Sequence, residues 1–281
     1  VLTTSEEVEG LPPTLLAFAA DTSRRNGEEG ASADDGPWTI TLEAPSFLPF
    51  LKHSPRRDLR EKLYRAHITK ASEGQWDNQS LIDEILALRR EKSELLGFDT
   101  FADVSLSKKM APGIDGVDRL LEELLEAALP ASRKDMDELR AFAESKGAAE
   151  ANDLRHWDLL YWSERLREVR YDLRDEELRP YFALEQVLDG LFRHVERLFA
   201  VKVESVEEGV SVWHPDVRYF RVSDVDGTPL ASFFLDPYSR PAEKRGGAWM
   251  SDLVGRSREM AEVDQEVRLP TAFVVCNQSP P

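Results

Sequence analysis

Apolar residues recur every three or four positions through roughly the first two hundred residues, a spacing that is typical of amphipathic helices. The longest such pattern covers residues 115–146. Pro130 lies inside it, and because proline has no amide donor we expect it to kink or break that helix. Helices are predicted over residues 11–20, 54–71, 77–97, 115–146, 153–169 and 180–199.

The apolar period shortens to about two near Val201, which indicates strands. Asp226-Gly227 is a hairpin signal, because both residues tolerate the backbone angles of a tight turn. Strands are predicted over residues 37–42, 210–222, 229–235 and 269–276. The fold class is therefore α+β and mostly α-helical, with a helical region followed by a small antiparallel sheet.

The composition is that of a soluble globular chain and narrows the range of partners. Hydrophobic residues make up 41% and the net charge is −17, which argues against nucleic acid and disfavours anionic membranes. No apolar run is long enough to span a membrane. Cys276 is the only cysteine, so an internal disulfide is impossible and a reducing compartment such as cytosol, stroma or matrix is favoured. No targeting segment is visible, although the chain starts at Val1 and not at methionine.

The histidines do not have the spacing of a zinc site. A zinc hydrolase needs three protein ligands, and two histidines four residues apart on one helix commonly supply two of them. The five histidines contain no such pair, and they are His53, His67, His156, His194 and His214. We therefore expect no metal ligands in this chain, with His67 and His214 in structural roles.

Other groups with possible chemistry are better explained as ordinary structure. Glu122-Glu123 and Glu176-Glu177 look like pairs on solvated helix faces. Cys276 lies in an apolar run without a basic neighbour, so a buried structural thiol is expected. Catalytic residues are therefore expected to be absent from this chain.

Gly246-Gly247 leaves two interpretations open. A glycine pair permits positive φ or close approach of another backbone. The pair could form a simple turn before Ala248-Trp249-Met250, or it could mark a place where a substrate backbone passes.

A series of ordered segments resembles the thimet oligopeptidase, oligopeptidase A and peptidyl-dipeptidase family of zinc metallopeptidases, with the oligopeptidase A branch and its organellar members most similar. The segments are residues 59–66 (LREKLYRA), 76–78 (WDN), 85–89 (ILALR), 95–98 (LLGF), 157–158 (WD), 178–182 (LRPYF), 212–218 (VWHPDVR), 235–240 (LDPYSR) and 244–250 (KRGGAWM). Because the matches keep their order along nearly the whole chain, they are more specific than one short motif.

The resemblance implies two mostly helical halves flanking a deep channel that admits short unfolded peptides. Residues 1–52 would end an N-terminal helical region. Residues 53–281 would form the first part of the catalytic domain, helical to about residue 200, with a sheet over residues 206–281. In this family the next helix carries His-Glu-x-x-His, so the chain is expected to be truncated at Pro281, before the Zn²⁺ site.

The resemblance also implies where a peptide would lie. An extended substrate pairs with a sheet edge beside the metal helix, and the strand over residues 271–277 is the expected edge. The expected substrate-contacting residues are Gly246, Gly247, Ala248, Trp249, Val274, Val275, Cys276 and Asn277. The intact enzyme would be a monomeric zinc endopeptidase in the cytosol or an organelle, and this chain alone would be inactive and free of zinc.

Two other functions remain open. The protein could bind peptides without zinc and without cleavage, using a sheet edge alone. It could also be a helical scaffold, although that leaves the segment around Gly246-Gly247 unexplained.

Overall fold

The computed structural model describes residues 1–240, 243–244, 247–261 and 266–278. Within these residues ten α-helices precede five strands, so the predicted mostly helical α+β fold is confirmed. The helices are α1 Ser5–Val8, α2 Pro13–Arg25, α3 Ala44–His53, α4 Arg57–Ile68, α5 Gln79–Leu95, α6 Phe101–Leu106, α7 Ile114–Ser145, α8 His156–Tyr171, α9 Asp175–Leu178 and α10 Leu184–Phe199. The strands are β1 Val201–Val206, β2 Arg218–Asp224, β3 Pro229–Tyr238, β4 Trp249–Val254 and β5 Thr271–Gln278.

The strands form one sheet in the order β1-β2-β3-β5-β4. The β1–β2, β2–β3 and β4–β5 pairs are antiparallel, whereas β3 and β5 are parallel. The sheet is therefore mixed and not wholly antiparallel as expected. The parallel pair arises because the chain leaves β3 for the edge strand β4 and then inserts β5 between them.

The chain divides into two compact units. The helical unit is Leu51–Arg170, and the sheet unit combines Val1–Phe50 with Tyr171–Pro281. The core of the helical unit gathers Leu139, Ala143, Ala151 and Trp162. In the part of the chain that the structure describes, no helix is both long and apolar enough to cross a membrane.

A buried carboxylate joins distant helices inside the helical unit. Asp158 is fully buried and accepts hydrogen bonds from Arg57, from Arg60 and from the backbone N–H of Arg155. Burial alone would raise the pKa of Asp158, but these hydrogen bonds outweigh it and lower the pKa. The arrangement fixes the start of α8 against α4.

One face of the sheet packs on α10. Leu188 of α10 contacts Phe220 and Leu235, and Phe192 lies in a T-shaped contact with Phe220 at 5.1 Å between ring centroids. Val274 and Cys276 of β5 pack against the same cluster. Cys276 is half-buried there, as an apolar neighbour of the core.

Several local predictions were wrong. The strand predicted over residues 210–222 begins only at Arg218. The strand over residues 37–42 is reduced to one bridge between Leu2 and Trp38, because the next amide, on Thr39, donates to the carbonyl of Ala19. The residues that follow form α3, which was not predicted and contains Pro49. Of the kink or break expected at Pro130, the break does not occur, because α7 runs without interruption through Ser145.

Candidate functional site

Among the described residues the two edge strands of the sheet are β1 and β4, and β5 is not an edge strand. β5 is paired with β3 on one side and with β4 on the other, so the expectation that residues 271–277 form the edge is wrong. The periodicity could not reveal this, because strand order depends on which segments meet in space. β4 has only one partner among the described residues, and its other side is available for a further strand.

Alternate residues of β4 face opposite sides of the sheet. Trp249 is paired with Val275, whereas Met250 is paired with Val274. Val274 packs toward α10, so Met250 lies on that face of β4 and Trp249 on the opposite face. We call the side of Trp249 the open face, because α10 covers the other one.

Aromatic rings from several segments meet on the open face. Phe273 lies 5.7 Å from Phe234 and 6.3 Å from Trp249, measured between ring centroids. Trp213 lies 5.3 Å from Phe234 and 5.6 Å from Phe273. Trp213 and Trp249 are each 51% exposed, so they are half in contact with solvent.

These rings border a pocket of about 530 Å³, a size that small ligands commonly occupy. Its lining residues are Trp213, His214, Asp236, Arg240, Glu243, Lys244, Trp249, Phe273 and Val275. The pocket therefore adjoins the start of the edge strand.

A buried ion cluster forms one wall of the pocket. Oδ1 of Asp236 accepts from Arg240 Nη1 at 2.8 Å and from Lys244 Nζ at 3.1 Å. Oδ2 accepts from Arg240 Nη2 at 2.7 Å and from Trp213 Nε1 at 3.1 Å. Burial acts to raise the pKa of Asp236, but the hydrogen bonds from Arg240, Trp213 and Lys244 prevail and lower it to about 2.

The residues expected to contact substrate are only partly brought together. Trp249 and Val275 line the pocket, while Val274 and Cys276 pack on the covered side with α10. Ala248 is exposed just before β4, and Asn277 is half-buried near the end of β5. Gly247 is exposed at φ 110°. Gly246 lies outside the described residues.

Several pocket residues were not singled out from the sequence. Asp236, Arg240 and Lys244 follow one another at intervals of four, and a carboxylate followed by two cations at this spacing was the available signal. Trp213 lies in the segment 212–218 that carried the resemblance, but nothing in the sequence paired it with Phe273, because folding brings the two together from distant positions.

A sequence profile for peptidase family M3 matches residues 50–281. The chain belongs to peptidase family M3. It is 50% identical over 281 residues to organellar oligopeptidase A, chloroplastic/mitochondrial, of Arabidopsis thaliana, covering all of this chain and 35% of that protein. It is 49% identical to the probable cytosolic oligopeptidase A of Arabidopsis thaliana, covering all of this chain and 40% of that protein.

A bacterial oligopeptidase A is similar to the chain over the chain's whole length as well. The M3 chain is 38% identical over 286 aligned positions to oligopeptidase A of Escherichia coli, covering all of this chain and 40% of that protein. The chain thus spans 35% to 40% of the length of these relatives.

The described part of this M3 chain does not fit a zinc ion. No group of three or more His, Cys, Asp or Glu among those residues could hold a metal. His214 Nδ1 accepts from the amide of Asp216 at 3.2 Å, and its Nε2 lies 3.9 Å from Glu243. His53 Nδ1 is 3.1 Å from an Arg165 nitrogen, and its pKa is lowered by burial and by that guanidinium.

The remaining candidate groups are not among the residues that line the pocket. His67 is half-buried on α4. Glu122 and Glu123 are exposed on α7, and Glu177 is exposed on α9, in agreement with solvated helix faces. The side chain of Glu176 lies outside the described residues.

Proposed function

We propose that the full-length protein containing this chain is a zinc-dependent oligopeptidase that hydrolyses short, unfolded peptides. The observation that carries this proposal is membership of peptidase family M3 over residues 50–281, together with relatives named oligopeptidase A. Short peptides are the natural class of partner, because a chain in extended form can offer its backbone to a sheet edge.

The role of this chain in that activity is to hold the peptide. β4 has an unpaired side, and a peptide lying along it would gain main-chain hydrogen bonds that fix its register. Ala248 and Trp249 stand at the start of that edge, and Gly247 precedes them. Side chains on the open face can then distinguish one peptide from another.

The zinc ligands and the catalytic glutamate belong, in this proposal, to the part of the full-length protein that this chain does not include. The metal would polarise the scissile carbonyl and supply the attacking water, while the residues described here would orient the peptide. The chain by itself would neither retain zinc nor cleave peptides.

The names of the relatives and the net charge support a compartment for the enzyme and disfavour one class of partner. One relative is named as chloroplastic/mitochondrial and another as cytosolic, so we place the protein in the cytosol or in an organelle. The net charge of −17 disfavours nucleic acid as a partner. We expect the full-length enzyme to act as a monomer.

A peptide-binding protein without zinc is the second candidate. The free edge of β4 and the adjoining pocket support it, because both could hold a peptide without any metal. The scaffold interpretation gives no role to either feature.

The test is peptide hydrolysis by the full-length protein. We expect it to cleave a short fluorogenic peptide, to lose activity with a chelator and to regain it with Zn²⁺. The same peptide sequence inside a folded protein should be left intact. Binding of the short peptide without any chelator-sensitive cleavage would reject the enzyme and favour the second candidate.

A further inference from the structure

The pocket lies on the side of the sheet toward which alternate side chains of a peptide on β4 would point. Directly opposed residues of neighbouring strands have Cβ atoms about 5 Å apart on the same face. A peptide residue opposite Trp249 would therefore project beside that indole on the open face. Its neighbours in the peptide would project toward the side of Met250.

The wall of the pocket opposite the ion cluster is apolar. Trp213, Trp249 and Phe273 contribute rings, and Val275 is 5% exposed between them. Aromatic walls of this kind bury large apolar area and favour offset or edge-to-face contacts with another ring.

The buried charged groups Asp236, Arg240 and Lys244 are paired with one another, whereas the Glu243 side chain is exposed at the rim of the pocket. Lys244 Nζ donates to the carboxylate of Asp236 and to the carbonyls of Asp236 and Tyr238, at 3.1, 3.2 and 2.7 Å. Both terminal nitrogens of Arg240 bind Asp236, and its Nε lies 3.7 Å from Glu243. A charged peptide side chain that enters the pocket would lose hydration and would meet a carboxylate and two cations that are already paired with one another.

We propose that this pocket is a specificity subsite that takes an apolar or aromatic side chain of the peptide on β4, with Trp249 as its selecting wall. The inference rests on the proposed function, because it requires a peptide on that edge. It adds the substrate class: peptides with a large apolar residue at the position opposite Trp249 are preferred over peptides with a charged residue there.

The size of the effect follows from apolar burial. A single methylene in an apolar pocket changes discrimination by about tenfold or more. A phenylalanine-for-aspartate exchange at the matching position should therefore change kcat/KM by at least about tenfold. Trp249→Ala should abolish most of the difference in kcat/KM between the Phe and Asp peptides, whereas Trp249→Phe should retain much of it.

The experiment measures kcat/KM of the full-length protein on peptides that differ at one position at a time, with Phe, Leu, Ala, Asp or Lys there. Met250→Ala is the matched control, because Met250 is the next residue of β4 and lies on the opposite face. We expect one peptide position to prefer Phe and Leu, and only the Trp249→Ala variant to lose that preference. Circular dichroism checks folding, and Trp249→Leu replaces the alanine variant if that one unfolds.

The outcomes separate the subsite from the proposed enzyme. An unchanged preference in the Trp249 variants, or an equal loss in Met250→Ala, overturns the subsite. Calorimetric titration of the chelator-treated protein with the same peptides measures their binding affinity in the absence of turnover. If the protein binds these peptides selectively and Trp249→Ala abolishes that selectivity, the subsite is supported. If the untreated protein then shows no peptidase activity, the proposed enzyme is rejected. Absence of both activity and selective binding rejects both.

Discussion

Asp236 holds the wall of the pocket together. Its side chain is 3% exposed and joins Arg240, Lys244 and Trp213 through one carboxylate. Removing one member of such a cluster leaves the others buried without their partner, which is more costly than losing an exposed ion pair. The cluster thereby sets the position of the Trp213 indole beside Phe273.

We predict that Asp236→Asn lowers the free energy of unfolding by about 3–5 kcal/mol, because two buried cations lose their counter-ion. The ionised carboxyl has a pKa of about 2 in the folded chain and about 3.9 when unfolded. Because the folded value is the lower one, its stabilisation is present above about pH 4 and is lost as the pH falls through about 2.

Urea unfolding between pH 7 and pH 2 tests this prediction. Asp252→Asn is the control, because Asp252 is exposed on the same sheet and undergoes the same change of charge. Equal stability of the two variants, or an identical pH profile in Asp236→Asn and the unmutated chain, would contradict the role given to the cluster.

Gly247 has a backbone that other residues rarely adopt. Its φ is 110°, although a Cβ placed there would meet no described atom within 4 Å. Glycine is therefore favoured at position 247 by its backbone conformation, and not because a side chain there would clash with a described atom. The pattern of the sequence had left a turn and a substrate passage as alternatives, and this geometry is compatible with both.

We predict that Gly247→Val in the full-length protein impairs peptide turnover more than stability, because a strained residue beside the edge displaces Ala248 and Trp249. The strain itself should cost about 1–3 kcal/mol. Melting temperature and kcat/KM are compared with those of Gly255→Val, which lies just after β4 without a positive φ and also has open space. Unchanged turnover, or a loss fully explained by unfolding, speaks for a simple turn.

At the scale of elements, most of the long helices were predictable and the edge strand β4 was not. α5 begins after Asn78 and ends before Gly97 at φ 75°, as the capping residues indicated. β4 was missed because Trp249 to Val254 contains no regular alternation of apolar and polar residues. The pocket could not be predicted, because the crossover that pairs β3 with β5 gathers its residues from positions 213 to 275.

α7 shows how a long helix accommodates proline. It continues from Ile114 to Ser145 although Pro130 cannot donate to the carbonyl of Glu126. The helix continues on both sides of Pro130, so the cost of the missing donor stays local. Of the kink or break expected there, the break is absent, because one lost bond does not end a helix of 32 residues.

We predict that Pro130→Ala stabilises the chain by up to about 3 kcal/mol, since it restores that hydrogen bond in an exposed helix interior. Ala128→Gly in the same turn is the opposite control and should destabilise by about 1 kcal/mol. Thermal unfolding followed by circular dichroism at 222 nm measures both. A lower melting temperature for Pro130→Ala would mean that the proline has a packing role.

At the scale of the whole molecule, several apolar helix faces are exposed. The sequence predicted one broad apolar face on α5, which would normally be buried. In the structure the exposed members of this and the other faces include Leu81, Ile85, Leu88, Leu120, Leu124, Leu191 and Phe199. Patches of this kind usually mark interfaces. Since the chain spans 35% to 40% of its relatives, we expect further parts of the full-length protein to cover them.

The central claim is that this chain holds the peptide while the zinc site lies elsewhere in the full-length protein. The most direct measurement is elemental zinc analysis combined with chelator-sensitive cleavage of one short fluorogenic peptide, made on the 281-residue chain and on the full-length protein in parallel. We expect the full-length protein to bind one zinc and cleave the peptide, and the 281-residue chain to do neither. One tightly bound zinc in the 281-residue chain, chelator-sensitive cleavage by that chain, or a full-length protein without zinc and activity would contradict the claim.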